Sequence, residues 1–490
     1  MSLPLPLRVL CAALLCAGVA ACAVGPDYHR PAIALPAQFS EAVPWQRAAA
    51  DPAGGIEGQW WQLFGDPQLD ALEQQALDAN TSIAAAEASY RQAQAVVAAD
   101  RAGLFPTLGL NAESTRAHGG AIISGAGLAS SKSGAGDVSQ NVSTTLSASW
   151  EPDLWGRVRR QVEAGRAQAD AAQAVLAGAR LSISASVASA YFSLRQLDGD
   201  IVLLSQQQDI EQRLLEITRL AVQQGTASND QLLQAQDALQ TTIAVLQLSQ
   251  TAREQSQHAL AVLLGRTPES FSLPVQTDYV FNAPTLPAAL PSELLQRRPD
   301  VVEAERAAAA ANAQIGVAKA AFFPSLTLSA DGGYQHDSWS QLFALPNRIW
   351  TLGPQLAQTL FDGGARRAAL HEAQASYDAQ AASYRGTVLA ALQNVEDNLS
   401  SLHHLSLQGA ADERIYAGNR GLFASSQAQL AAGIGSEQSV LTQQLILLQA
   451  EQTSRDISAQ VVGASVGLIE SLGGGWQGPS VGSAAHKTDG

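Results

Sequence analysis

Two hydrophobic periodicities alternate along this chain, and each occurs twice. From residue 107, Leu108, Leu110 and Ala112 alternate with Gly109, Asn111 and Glu113. Val142, Leu146, Ala148 and Trp150 then alternate with Ser143, Thr145, Ser147 and Ser149. A period of two over segments this long predicts strands with one apolar face, here a hairpin over about 107–154. The segment Gly119 to Gly136 between them is rich in Gly and Ser and predicts a loop. A second hairpin, about 325–361, sets Leu326, Leu328, Ala330 and Tyr334 against Thr327, Ser329 and Asp331. Its return strand sets Trp350, Leu352, Leu356 and Leu360 against Thr351, Gln355 and Thr359.

Between and around the hairpins the period changes to that of a helix. Asp66 to Arg101 and Pro291 to Ala321 each read as helical and stop at a Phe-Pro, because proline disfavours helix in the residue before it. After each hairpin comes a much longer stretch, Gly156 to Gly225 and Gly364 to Gly433, about 100 Å if helical throughout. Ile210, Leu214, Ile217 and Ala221 fall at coiled-coil spacing. Return helices carrying Leu232, Ala235, Leu239 and Leu246 end at Leu264-Gly265 and Leu472-Gly473. The expectation is a tall column of antiparallel helix pairs.

The recurrence is an internal duplication. Gly156, Gly225 and Gly265 return as Gly364, Gly433 and Gly473, all at an offset of 208, as do Arg159 with Arg367 and Leu233 with Leu441. The order is therefore a first repeat over 60–265, a proline-rich linker over 266–290, a second repeat over 291–473 and a tail over 474–490. Ahead of them, 22–59 carries five prolines between Pro26 and Pro52 and reads as an extended strap.

The first 21 residues read as a signal peptide: Arg8, an apolar run from Val9 to Val19, then small residues. Val19-Ala20-Ala21-Cys22 resembles a bacterial lipobox, which makes Cys22 the expected lipid acceptor. No other stretch is expected to form a membrane-spanning helix, so any span must be made of strands. Cys11, Cys16 and Cys22 are the only cysteines, and they exclude a disulfide or cysteine-based zinc site further on. Charged residues are 15% of the chain, well below an average soluble domain, and the net charge of −15 argues against a nucleic-acid partner.

Four apolar-faced strands cannot close a barrel by themselves, and open edges cannot sit in lipid. Two chains would give an eight-stranded barrel filled by side chains, whereas three give twelve strands and a lumen. The fold class expected is a mixed α and β membrane protein: a trimeric twelve-stranded transmembrane β-barrel continuous with a periplasmic helical coiled-coil barrel.

Several segments carry a resemblance beyond this arithmetic. They are Cys22-Ala23-Val24-Gly25-Pro26-Asp27-Tyr28, Trp60-Trp61 with Phe64-Gly65-Asp66-Pro67, Leu69 through Leu77, Leu290-Pro291-Ser292 with Leu294 to Asp300, and Leu472-Gly473-Gly474-Gly475-Trp476. Together they resemble the outer membrane factors of tripartite efflux systems, in the NodT-type lipoprotein branch that partners resistance-nodulation-division pumps. The resemblance implies an outer-membrane location extending into the periplasm. It also implies passive export of drugs or other small molecules, with a periplasmic adaptor (membrane fusion protein) and an inner-membrane pump as partners. A duct for polypeptide secretion and a structural coiled-coil lipoprotein are the alternatives.

No catalytic constellation, metal site or cofactor is expected apart from the lipid on Cys22. Gly463-Ala464-Ser465-Val466-Gly467 fits a nucleophile elbow in letters only, since it lies in a helical stretch. His403-His404 point about 100° apart on a helix and do not chelate one ion. Trp150, Trp155, Trp350, Phe361, Arg159, Arg160, Arg366 and Arg367 are expected as membrane-interface anchors. Gly225 and Gly433 mark the periplasmic tips, where the resemblance implies a gate narrowed by acidic rings. Asp230 and Glu437 are the acids available there, and Leu232, Leu233 and Leu441 would supply a packing seal instead.

Overall fold

The structure is a computed structural model that describes residues 23–36, 39–40, 58–118, 138–284 and 297–476. The signal peptide, Cys22, residues 37–38 and 41–57 of the strap, the Gly/Ser loop, 285–296 and the end of the tail lie outside the described residues. The described elements run α1 (Pro67–Ala79), α2 (Thr81–Ala102), β1 (Thr107–His118), β2 (Val138–Trp150), α3 (Arg157–Gln223) and α4 (Asn229–Leu263). The second repeat gives α5 (Pro299–Ala320), β3 (Ser325–His336), β4 (Arg348–Ala357), α6 (Ala365–Ala431) and α7 (Glu437–Ser471). Every boundary of α3 and α4 recurs in α6 and α7 at the offset of 208, with lengths of 67 and 35 residues in both copies.

The first compact unit takes in 1–31, 91–169 and 306–382. Its centre is an antiparallel sheet in the order β1-β2-β3-β4, with β1 and β4 as free edges. The second unit takes in 32–90, 170–305 and 383–490 and is helical. Within it α3 packs antiparallel on α7, across the two copies. Gln196 bonds Asp456 at 2.7 Å, and Leu203 and Ile210 pack with Leu448. On the other side of α7, Asn398 of α6 donates to the carbonyl of Gly467 at 3.3 Å. On the other side of α3, Arg253 of α4 bonds Asp198 at 2.6 Å. The helices therefore lie α4-α3-α7-α6, and α4 and α6 are edges just as β1 and β4 are. Exposed apolar side chains gather on those edges: Leu233 and Leu248 on α4; Leu389, Leu407, Ile415 and Leu422 on α6.

Two expectations are corrected. The single helix over Asp66 to Arg101 is broken at Asn80, which closes α1 and opens α2. Its side chain accepts from the amides of Ser82 and Ile83 and donates to the carbonyl of Leu263, so a buried polar residue is satisfied only by interrupting the helix. Second, α3 does contain a stretch long and apolar enough to cross a membrane, with mean hydropathy 1.3. Val187, Ala188, Tyr191, Phe192 and Leu194 of this helix are buried against Trp60, Phe64, Leu69 and Leu264, so apolarity there serves packing.

The same region holds a buried polar cluster that pins the linker. Arg195, fully buried, donates to Asp198 at 2.9 Å, to the carbonyl of Pro274 at 3.0 Å and to Gln68 at 2.7 Å. Asp66 caps α1 and also receives the hydroxyls of Tyr191 at 2.6 Å and Tyr279 at 3.0 Å.

Candidate functional site

Two places bear on function, and the first is the sheet. Cross-strand partners share a face, so the register sorts every residue. Leu108, Ala148, Ala330 and Leu352 form one row; Leu110, Leu146, Gly332 and Trp350 form the next. Two further rows, both beyond the Leu108 row, add Trp150, Leu328 and Pro354, and Leu326 with Leu356. This face is apolar yet exposed: Leu110 is 73% accessible and Leu352 76%. From the Leu326 row to the Tyr334 row the apolar face runs about 26 Å along the strands, which suits a hydrocarbon layer. The opposite face carries Asn111, Glu113, Ser143, Thr145, Ser147, Ser329, Asp331, Thr351 and Gln355. A thin sheet with one oily side exposed and one wet side is a wall between lipid and an aqueous lumen. Thr351 donates to Asp331 at 3.2 Å on the wet side.

The expected anchors separate into groups at this sheet. Trp150 donates to the carbonyl of Leu104 at 3.0 Å, and Trp155 donates to Pro324 at 2.7 Å while stacking on Phe323. Phe361 is 88% exposed beyond the end of β4. Trp350 lies near the other end of the same strand. Arg159 pairs with Asp153 at 3.3 Å, and Arg366 pairs with Asp362 at 2.6 Å. Arg367 is exposed. Arg160 departs from the expectation. Its side chain is buried and bonds Asp27 of the strap at 2.9 Å and Glu163 at 2.8 Å, so it fastens the strap and faces no membrane. Next to it the amide of Val24 donates to Trp155, and Ala23 rests on Gly156 so closely that a Cβ there would lie 2.8 Å from the Ala23 Cα. Gly156 also has φ +80°, which L side chains rarely adopt.

The second place is the pair of helix tips in the helical unit. Gly225 and Gly433 adopt φ of 73° and 74° and end their helices in the left-handed conformation, as expected of C-terminal glycines. Ser228 and Ser436 then cap α4 and α7, Ser228 in a reciprocal box with Gln231. Asp230 is exposed in the first turn of α4. Glu437 is not a free acid. Arg213 of α3 donates to it from Nε at 2.8 Å and Nη2 at 3.2 Å, and also reaches Glu216 at 3.1 Å. The guanidinium holds the Glu437 carboxyl below the usual carboxylate range. Of the three leucines, Leu233 is 56% exposed, Leu232 is half-buried, and Leu441 packs into the cluster around Leu203, Ile210 and Leu448. Sequence reasoning missed Arg213, although the duplication marks it: the equivalents of Arg213 and Glu437 in the other copy are Gly421 and Asn229.

The remaining motifs resolve as packing. Ser465 lies within α7, buried, with its hydroxyl on the carbonyl of Val461. His403 and His404 stack edge to face on α6, and among the described residues no cluster of metal-binding side chains occurs.

Known proteins share this arrangement. Residues 72–266 and 290–474 match the family described as outer membrane efflux protein, one match per repeat. The chain is 29% identical to the toluene efflux pump outer membrane protein TtgC of Pseudomonas putida, over 93% of each chain. It is 28% identical to the cation efflux system protein CusC of Escherichia coli O157:H7, over 97% of this chain and 99% of the other. Among solved structures it superposes on the outer-membrane channel OprN with TM-score 0.81 and 30% identity, covering 93% of this chain and all of that one. The open MtrE channel of Neisseria gonorrhoeae gives 0.79 and 28%, covering 93% and 98%. The fold class read from the sequence therefore holds, with four strands per chain contributed to a transmembrane β-barrel and the long helices to a helical barrel. This chain belongs to the outer membrane efflux protein family and is an efflux channel of the outer membrane that extends into the periplasm.

Proposed function

We propose that three copies of this chain form a passive exit duct for drugs or other small molecules. An inner-membrane resistance-nodulation-division pump delivers them through a periplasmic adaptor. The observation that carries the reading is the sorted sheet, lipid-compatible on one face and hydrophilic on the other, with both edges open. The matched edges of the helical layer support the same count, since α4 and α6 present unpartnered apolar side chains. Detergent-extracted protein should run at the mass of a trimer. A stable monomer with intact β-structure would contradict the reading.

Cys22 is the proposed acyl site and first residue of the mature chain, and the next residue, Ala23, is seated on Gly156 at the strand-to-helix junction. One lipid group binds membranes only marginally. Cys22→Ser should therefore stay in the outer membrane; a soluble, folded periplasmic product would refute the barrel as main anchor.

The resting pore is proposed to close at the tips. Because Glu437 is already paired with Arg213, Asp230 is left as the acid able to set a cation preference. Glu437 instead ties α7 to α3, and that tie weakens as pH falls through its lowered pKa. In planar bilayers Asp230→Asn should reduce cation preference. Glu437→Gln should leave preference unchanged and raise conductance. Equal loss of preference in both variants would restore a two-acid ring, and no change in either would favour a seal by packing.

A further inference from the structure

The charges around the sheet are distributed unevenly. At the end near the helices three arginines have a carboxylate of the same chain, Arg157 with Glu151, Arg159 with Asp153 and Arg366 with Asp362, and only the exposed Arg367 beside them shows no such pair among the described residues. At the far end the register places Arg116, paired with Gln140, and Arg348, paired with Tyr334, on the lipid-facing side. Both are exposed, and neither has an ion pair among the described residues. The sheet's acids, Glu113 and Asp331, lie on the lumen face instead. In a chain with 44 acidic and 29 basic residues, the only charged residues of the described strands on the lipid side are thus arginines at the outer rim.

The β3–β4 loop adds an apolar part to that rim. Phe343 packs edge to face on Tyr334, a residue of the lipid-facing side, with ring centres 5.5 Å apart. Leu342 is buried, whereas Trp339, Phe343 and Leu345 are 59%, 69% and 79% exposed. The lipid-facing surface therefore continues past the strand ends instead of stopping at Arg348.

We propose that this outer rim is a binding site for a phosphorylated glycolipid of the outer leaflet. Arg116 and Arg348 take its phosphates, and Trp339, Phe343 and Leu345 lie against its acyl chains. Arginine suits the phosphates because its planar fork donates two parallel hydrogen bonds to one anion. Continuity with the hydrocarbon-facing band and the uncompensated positive charge both select a lipid that is anionic as well as apolar. The two arginines sit on β1 and β4, the edge strands, so closing the barrel from three chains makes their strands neighbours. The inference rests on the channel reading above.

The test is native mass spectrometry of the detergent-solubilised trimer titrated with diphosphoryl lipid A or with the same lipid stripped of both phosphates. The parent should bind the phosphorylated form about ten-fold or more tightly. Arg116→Gln with Arg348→Gln should erase that difference, Arg116→Lys with Arg348→Lys should keep most of it, and Arg157→Gln at the inner end should not change it. Equal affinity of the parent for both lipids would overturn the proposal, as would equal loss in the Arg157→Gln variant. Should the double glutamine variant fail to assemble, the parent's preference and the Arg157→Gln comparison still decide. Failure of the channel reading would show separately, as a parent that yields no trimer.

Discussion

Arg195→Leu should destabilise the protein by about 3–5 kcal/mol per chain, the usual cost of deleting one partner of a buried charge pair. The argument is geometric. Arg195 and Asp198 both have fully buried side chains, and the guanidinium also satisfies Gln68 and the carbonyl of Pro274. Removing it takes a charge partner from the fully buried Asp198 carboxylate and releases Gln68 and the Pro274 carbonyl, at the point where the linker is held to α3. The remaining bond from Arg253 to Asp198 keeps the loss towards the lower end of that range. Urea melts of the trimer should show the decrease, and limited proteolysis should cut the variant between residues 266 and 284 sooner than the parent. An unchanged melt would mean that the cluster is an incidental feature of the packing.

The second large effect runs the other way. Glu73 of α1 is fully buried, and neither carboxylate oxygen makes a well-formed hydrogen bond, although the Ser184 hydroxyl lies near. Burial, opposed by Ser184 and reinforced by the Asp70 carboxylate, pushes its pKa up to about 8 from 4.5. In the folded chain the group is therefore neutral at pH 7, whereas in the unfolded chain it is ionised. The folded state loses stability progressively as pH rises from the unfolded value through about 8, and nothing is lost below 4.5, where both states are protonated. A shift of this size is worth on the order of 5 kcal/mol at alkaline pH. Glu73→Gln should thus stabilise the protein above pH 8, leave it unchanged near pH 4 and flatten the pH profile between them. A variant that melts like the parent at pH 9 would show that Glu73 finds a partner in the assembled channel.

Local pattern and tertiary contact contributed differently to what can be known here. The strands were legible because a sheet with one apolar and one polar face forces a period of two, and Leu108 to Ala112 or Leu326 to Ala330 display it without interruption. The helix ends were legible because Gly225 and Gly433 are needed where the chain turns left-handed. The duplication was legible because the two copies keep identical helix lengths. Asn80 was missed although it caps α2 locally by accepting from Ser82 and Ile83; its other bond, to the carbonyl of Leu263 far along the chain, is one that no local pattern reports.

The sequence by itself thus determined the elements, their repeat, the two faces of the sheet and, through the open edges, the need for more than one chain. Each of these follows from short-range geometry, where side-chain direction is fixed by backbone period. Only the tertiary structure decided that α3 of one copy pairs with α7 of the other, that Arg160 belongs to the strap, and that Glu437 is spent on Arg213. Partners such as Arg213 and Glu437, or Arg160 and Asp27, are more than a hundred residues apart in the chain. No periodicity reports which distant charge a side chain will meet, because that depends on how whole helices are laid side by side.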